Sequence, residues 1–192
     1  MFLITPTRIM SLAENNIEYN RIFLVGQSGS GKTSCGKALS DLINWKFIDT
    51  DEELILKHGK SIDDIFKQSG EEFFRSEELM IAKELIKKDK VVISTGGGMP
   101  EIQNIMGLMN HFGATFWLKT SPSEIESRLI KSNKSHRPLL FNNNLSLFEN
   151  LEQQAKKRYS LYSRASFHID TDNKNIEDVA LEIKNIICIN HE

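Results

Sequence analysis

Cross-links, chain breakers and bulk charge are all scarce in this sequence. Its two cysteines, Cys35 and Cys188, lie far apart and match no metal-ligand spacing. That excludes a disulfide framework and a zinc site, and leaves two reduced thiols of the kind a cytoplasmic protein carries. No apolar run approaches the roughly 18 residues of a membrane span. The opening Met1-Phe2-Leu3-Ile4-Thr5-Pro6 is apolar for too few residues to be a signal-peptide core. With 24 Lys+Arg against 26 Asp+Glu the formal charge is only −2, so neither nucleic acid nor a membrane surface is expected as a bulk electrostatic partner. Proline is held to four residues and glycine to eleven, and six of the glycines fall in two clusters, Gly26/Gly29/Gly31 and Gly96-Gly97-Gly98. What remains is globular composition, 192 residues at 40% hydrophobic, enough for one well-buried core without staples. Residues 1–20 read as an N-terminal tail and 21–192 as a single domain.

Short apolar runs alternate with amphipathic stretches along the rest of the chain. Strands are predicted at 21–25, 46–49, 91–94, 114–118 and 167–169, with helical spacing after each. Cys35, Ala38, Leu39, Leu42 and Ile43 make one such face, and Leu147, Leu151, Ala155, Tyr159 and Tyr162 another. Ser61 with Asp64 and Ser69 with Glu72 form capping-box pairs, which predict helix starts near 62 and 70. Pro100 suits a first helical turn, and Ser121-Pro122-Ser123-Glu124 reads as N-cap, N1 proline and N3 acid. Residues 131–145 are polar and read as a mobile loop. Strand–helix alternation throughout implies an α/β fold, a mostly parallel sheet covered on both faces, with ligands at the carboxyl edge of its strands.

Gly26-Gln27-Ser28-Gly29-Ser30-Gly31-Lys32-Thr33 fits the phosphate-loop pattern, after a strand and before a helix. Glycines let backbone N–H groups ring a phosphate, and the helix dipole points at the same place. Lys32 reaches the β- and γ-phosphates, and the Thr33 hydroxyl ligates Mg²⁺. Asp49 and Asp51 stand at i and i+2 where the second strand ends, which on an extended chain aims both carboxylates to one side. One can serve the metal shell and the other an acceptor hydroxyl; the competing reading is a pair of solvated acids capping the next helix. Gly96-Gly97-Gly98 follows the third strand and lets a small substrate approach the main chain, or else is a flexible turn. Arg75 sits on an acidic helix where Glu78 can pair with it. Arg137 lies in the polar loop, a candidate for stabilising a transferring phosphoryl group. Arg158 and Arg164 flank Tyr159 and Tyr162, and solvent exposure is the bland reading for both. The five histidines form no ligand pattern, and Cys35 reads as a small core residue.

Taken in order, several motifs resemble the shikimate kinases over residues 21 to about 187. They are the phosphate loop, Phe47-Ile48-Asp49-Thr50-Asp51, Gly70-Glu71-Glu72-Phe73-Phe74-Arg75, Ser94-Thr95-Gly96-Gly97-Gly98, Arg137-Pro138-Leu139-Leu140, and Arg158-Tyr159 with Tyr162. The resemblance implies a three-layer α-β-α domain with a five-stranded parallel sheet of the P-loop nucleoside-monophosphate-kinase type and a lid at about 131–145. It implies transfer of the γ-phosphate of ATP to the 3-hydroxyl of shikimate, on the route to chorismate and the aromatic amino acids. By the same resemblance, Gly29, Ser30, Gly31, Lys32, Thr33, Ser34 and Arg137 bind ATP, and Thr33 and Asp49 serve Mg²⁺. Asp51, Arg75, Gly97, Gly98 and Arg158 bind shikimate, with Lys32, Asp51 and Arg137 catalytic. A cytoplasmic monomer is expected. The resemblance assigns no adenine-side contacts, Arg128 included. A gluconate kinase of the same fold explains the phosphate loop but gives Arg75 and Arg158 no reason to converge. A nucleotide-binding regulatory module without catalysis gives none for an intact Asp49 and Asp51.

Overall fold

A computed structural model describes residues 19–131 and 145–189 of the chain. In order, the elements are β1 (Arg21–Val25), α1 (Lys32–Ile43), β2 (Lys46–Asp49), α2 (Thr50–His58), α3 (Ile62–Leu85) and β3 (Val91–Ser94). A 3-10 turn at Met99–Glu101 follows, then α4 (Ile105–Phe112), β4 (Ala114–Lys119), α5 (Pro122–Lys131), α6 (Leu147–Tyr162), β5 (Phe167–Asp170) and α7 (Ile176–Ile189).

All five strands pair in parallel in the order β2-β3-β1-β4-β5. Such a sheet is buried on both faces, and β1 shows how the alternation of its side chains builds two cores. Ile22 and Leu24 pack on one face with Cys35 and Leu39 of α1 and Val179 and Ile183 of α7. Phe23 and Val25 pack on the other with Leu85, Met106, Met109 and Tyr162. Each large side chain removed from water in this way contributes about 1.5–3 kcal/mol before entropy is set against it. The three-layer α/β expectation therefore holds, and every predicted strand is present to within a residue. Among the described residues no helix is long and apolar enough to cross a membrane.

Register decides what meets at the carboxyl edge. Leu24 of β1 and Asp49 of β2 both lie opposite Ser94 of β3. The phosphate loop, the aspartate segment and the triple glycine therefore leave the sheet side by side. The central strand β1 has β3 on one side and β4 on the other, the kind of crevice in which such sheets bind ligands.

Three local readings differ from the expectation. The helix Thr50–His58 did not show in the hydrophobic pattern, because of its adjacent Leu54, Ile55 and Leu56 only Leu54 is buried. Asp51 consequently lies in the first turn of a helix, not on an extended strand, so the i,i+2 geometry that placed it beside Asp49 is replaced by a helix N-terminus. The two helices expected to start near 62 and 70 are both present within Ile62–Leu85, separated by the non-helical Gly70. Ser61 caps the first as predicted, accepting from the Asp64 amide at 3.1 Å. Pro100 is the middle residue of the short 3-10 turn, and a separate helix α4 follows it. The loop expected at 131–145 lies outside the described residues except for Lys131, which closes α5, and Leu145.

Gly70 has φ 81° and ψ 171°, a region that only glycine occupies without strain, although a side chain there would meet open space. Backbone conformation alone thus resists substitution. Gly70→Ala and Gly70→Asn are each expected to lower stability by about 1–3 kcal/mol. Equal urea midpoints for wild type and both variants would show that the break does not require glycine.

Candidate active site

The donor half of the site begins where β1 turns into α1. Gly29 and Gly31 take φ 88° and 94°, left-handed values that turn the loop around its own amides. Lys32, first residue of α1, is buried, and its ammonium donates to the carbonyls of Gly26 (2.8 Å) and Gln27 (2.9 Å). The Gln27 side chain in turn donates to the Leu151 carbonyl at 2.7 Å, tying the loop to α6. Ser30 Oγ is buried in the same loop and has no hydrogen-bond partner among the described residues. A buried hydroxyl of this kind suits a ligand rich in acceptor oxygens, such as a phosphate.

Next to the loop, the Thr33 hydroxyl donates to Asp49 Oδ2 at 2.7 Å. Asp49 Oδ1 accepts from the amides of Asp51 (3.0 Å) and Glu52 (3.5 Å) and so caps α2. Capping, the bland reading of this acid, and contact with the phosphate loop are thus both true of Asp49. Two hard oxygens, Thr33 Oγ1 and Asp49 Oδ2, side by side at the end of the phosphate loop fit Mg²⁺, which takes few protein ligands and completes its shell with phosphate and water. No cluster of three or more His, Cys, Asp or Glu suited to a metal occurs among the described residues. Gly29, Ser30, Gly31, Lys32, Thr33, Ser34, Asp49, Asp51 and Gly97 line a cavity of about 840 Å³.

A second half opens beyond the triple glycine. The Gly96 amide donates to Thr50 Oγ1 at 2.9 Å, which locks the glycines to the start of α2. A Cβ on Gly96 would lie 2.7 Å from Asp51 Oδ1 and 2.9 Å from Glu78 Oε1, so both carboxylates rest directly on this glycine. A Cβ on Gly98 would lie 2.6–2.7 Å from the terminal nitrogens of Arg75. Tyr162 donates to the Gly97 carbonyl at 2.7 Å. Arg75 pairs with Glu78 at 2.7 Å and Glu71 at 3.1 Å. Arg158 pairs with Glu101 at 2.7 Å, and Glu101 lies 3.7 Å from Arg75.

Burial sets the electrostatics here. Burial pushes Glu78 up to about 7; the Arg75 guanidinium opposes this and the negative charge of Asp51 adds to it. For Arg75, burial works against the charged form, but Glu78 and Glu71 outweigh it and the net direction is upward. Tyr162, likewise buried, is pushed up to about 12 and stays a phenol donor.

Of the expected acceptor residues, Asp51, Arg75, Gly97, Gly98 and Arg158 gather around this one floor. Arg137 lies outside the described residues. Arg164 is exposed, as its bland reading held. Several participants were not read from sequence as having a part in the site. Glu101 became visible only when the fold brought the 3-10 turn against α6, and Thr50 only when α2 existed. Tyr162 appeared in the pattern without a task. Arg128 lines the donor cavity, and donates to the carbonyls of Thr171 (2.6 Å) and Ser30 (3.3 Å).

Comparison with known proteins gives this geometry a context. A family model described as shikimate kinase matches residues 28–188. The shikimate kinase of Sulfurihydrogenibium sp. (strain YO3AOP1) is 36% identical over 162 residues, covering 84% of this chain and 94% of that protein. The solved structure of shikimate kinase from Acinetobacter baumannii in complex with shikimate is similar at TM-score 0.82 and 31% identity, over 90% of this chain and 94% of that one. A gluconokinase from Sinorhizobium meliloti 1021 covers 90% of this chain and 93% of its own at TM-score 0.54 and 16% identity, a likeness of fold alone.

The raised Glu78 has a consequence for stability. Folded, it holds its proton up to about 7, whereas the unfolded chain releases it near 4.5. Between those values the native state binds more protons, so Glu78's contribution is greatest below the lower value and declines as pH rises through the upper one. The stability of wild type minus that of Glu78→Gln should therefore fall from pH 4.5 to 7, by at most about 1.4 kcal/mol per pH unit. Urea denaturation of both proteins across that range checks this, and a difference that rises with pH contradicts it.

Proposed function

Because the chain belongs to the shikimate kinase family, we propose that its two half-sites act as the ATP and shikimate sites of that reaction. The reaction is transfer of the γ-phosphoryl group of ATP to the 3-hydroxyl of shikimate, giving shikimate 3-phosphate and ADP. One observation carries the assignment of residues. Two arginines from different helices, Arg75 and Arg158, are joined through Glu101, and Arg75 stands with the Asp51 and Glu78 carboxyl groups on a floor of three glycines beside a phosphate loop.

Shikimate has one carboxylate and three hydroxyls. Guanidinium forks suit the carboxylate, because they make charge-assisted and often bidentate bonds. Asp51 accepts a hydrogen bond from the reacting hydroxyl and takes its proton as the oxygen attacks phosphorus. Gly97 and Gly98, with no side chain in the way, let the ring lie against the main chain. On the donor side the amides of Gly29, Ser30 and Gly31 with Ser34 hold the phosphates, and Lys32 moves from the loop carbonyls to the β- and γ-phosphates. Thr33 and Asp49 hold Mg²⁺, which neutralises phosphate charge when bound. Arg137 is assigned to the transferring group. Catalysis on this reading is mostly alignment and charge stabilisation. We take the enzyme as a monomer and place the reaction in the cytoplasm.

A gluconate kinase of the same fold accounts for the phosphate loop only. Shikimate should stimulate ADP release in a coupled assay, whereas gluconate and nucleoside monophosphates should leave it at the rate seen without acceptor. Asp51→Asn should lower kcat by about 10²–10⁴-fold with ATP binding retained; near-normal turnover would remove it from the chemistry. Arg158→Ala should raise KM for shikimate far more than KM for ATP, and equal changes in both would take Arg158 out of the acceptor site.

A further inference from the structure

Glu101 stands where an incoming carboxylate has to go. It ends the 3-10 turn directly after the triple glycine, with Pro100 inside the turn and the Glu101 amide donating to the Gly98 carbonyl at 2.9 Å. The backbone is thereby held to the glycine floor. From it, Glu101 Oε1 reaches Arg158 Nε at 2.7 Å and Lys157 Nζ at 3.4 Å, while Oε2 lies 3.7 Å from Arg75. One carboxylate thus bridges both arginines, one oxygen to each, as an acceptor carboxylate is assigned to do above.

The local charge count makes the conflict plain. Arg75, Arg158 and Lys157 face Glu71, Glu78 and Glu101 through ion pairs of 2.7–3.7 Å. The two guanidinium groups already hold three carboxyl groups between them, so an incoming carboxylate has to displace one. Glu71 and Glu78 belong to the same helix as Arg75 and are bound to it within one turn. Glu101 arrives from a different element, and its side chain is 18% exposed. Lys157 beside it is 72% exposed and offers a cation at the mouth of the site toward which the carboxylate can turn. Neither arginine needs Glu101 to stay in place. Arg75 keeps Glu78 and its seat on Gly98, and Arg158 keeps Gln154 (3.3 Å) and Tyr162.

We propose that Glu101 is a resident competitor for the acceptor's carboxylate, occupying the two guanidinium groups in the empty site and swinging toward Lys157 when an anionic acceptor displaces it. The proposal rests on the acceptor-site reading above. It makes Glu101 a specificity-determining residue: an acceptor without a negative charge cannot displace it. A clamp that merely aligned the arginines would act with the opposite sign, because removing it would loosen them and weaken the acceptor.

The test measures binding of shikimate, and of its uncharged methyl ester, to the full-length enzyme with ADP and Mg²⁺ present. Glu101→Gln replaces a charged acceptor by a neutral one of the same shape, and should tighten shikimate about 3–10-fold, with Glu101→Ala tightening it at least as much. The preference for shikimate over its ester should rise by the same factor, with KM for ATP unchanged. Unchanged or weaker shikimate binding in Glu101→Gln overturns the proposal, as does equal tightening of the ester. If Glu101→Ala fails to fold, the isosteric Glu101→Gln decides. Arg158→Ala separates the two levels. If it weakens shikimate while Glu101→Gln does not tighten it, the competitor role alone falls. Shikimate binding that is intact in Arg158→Ala removes the acceptor site and the proposal together.

Discussion

Asp49 points its two carboxylate oxygens in different directions, and much of the site hangs on that division. One oxygen takes the Thr33 hydroxyl of the phosphate loop, the other takes the first amides of α2. A single buried side chain at the end of β2 thereby fixes the start of two helices against each other. The next residue, Thr50, extends the arrangement by receiving the Gly96 amide. Loop, helix and glycine segment are linked through two consecutive residues. Charge-assisted bonds at a helix N-terminus are among the stronger ways to make such a joint. The parallel register behind them, with Asp49 and Leu24 both opposite Ser94, supplies the rest of the alignment.

The acceptor half obeys a different constraint, that of charges held close in a partly dry place. Glu78 is almost wholly inaccessible, yet it pairs with an arginine that is itself only about one-fifth exposed. Arg75 has further partners in Glu71 and Glu101, whereas Glu78, without Arg75, loses the group that opposes its protonation. Packing that much charge together is feasible because the glycines present no side chains, so carboxylates and a guanidinium can lie on the backbone itself. The floor is thin by necessity.

Much of this could be read from the chain before folding. The five strands were legible because a doubly covered parallel sheet demands continuous apolar runs, and the phosphate loop because its glycines and Lys32-Thr33 have one chemical use. For Asp49 and Asp51 an extended pair was expected and a helix capped by Asp49 was found. That helix escaped notice because Ile55 and Leu56 are exposed, so its apolar residues follow no face. Glu101 could not be found in this way, being 57 residues from its partner Arg158 and meaningful only once α6 crosses the glycine turn. Arg128 was set aside because nothing in its own helix tells that Thr171, 43 residues on, offers it a carbonyl.

Cys35 lies on the buried face of α1, two residues beyond Thr33, and burial pushes its thiol up to about 12. Near neutral pH the thiol stays protonated, and the thiolate, the form that oxidants and alkylating reagents attack, is suppressed. The phosphate loop is therefore chemically quiet despite having sulfur beneath it. Cys35 itself borders the donor cavity, so what keeps thiol chemistry away from the phosphates is the cost of placing a thiolate in a buried position.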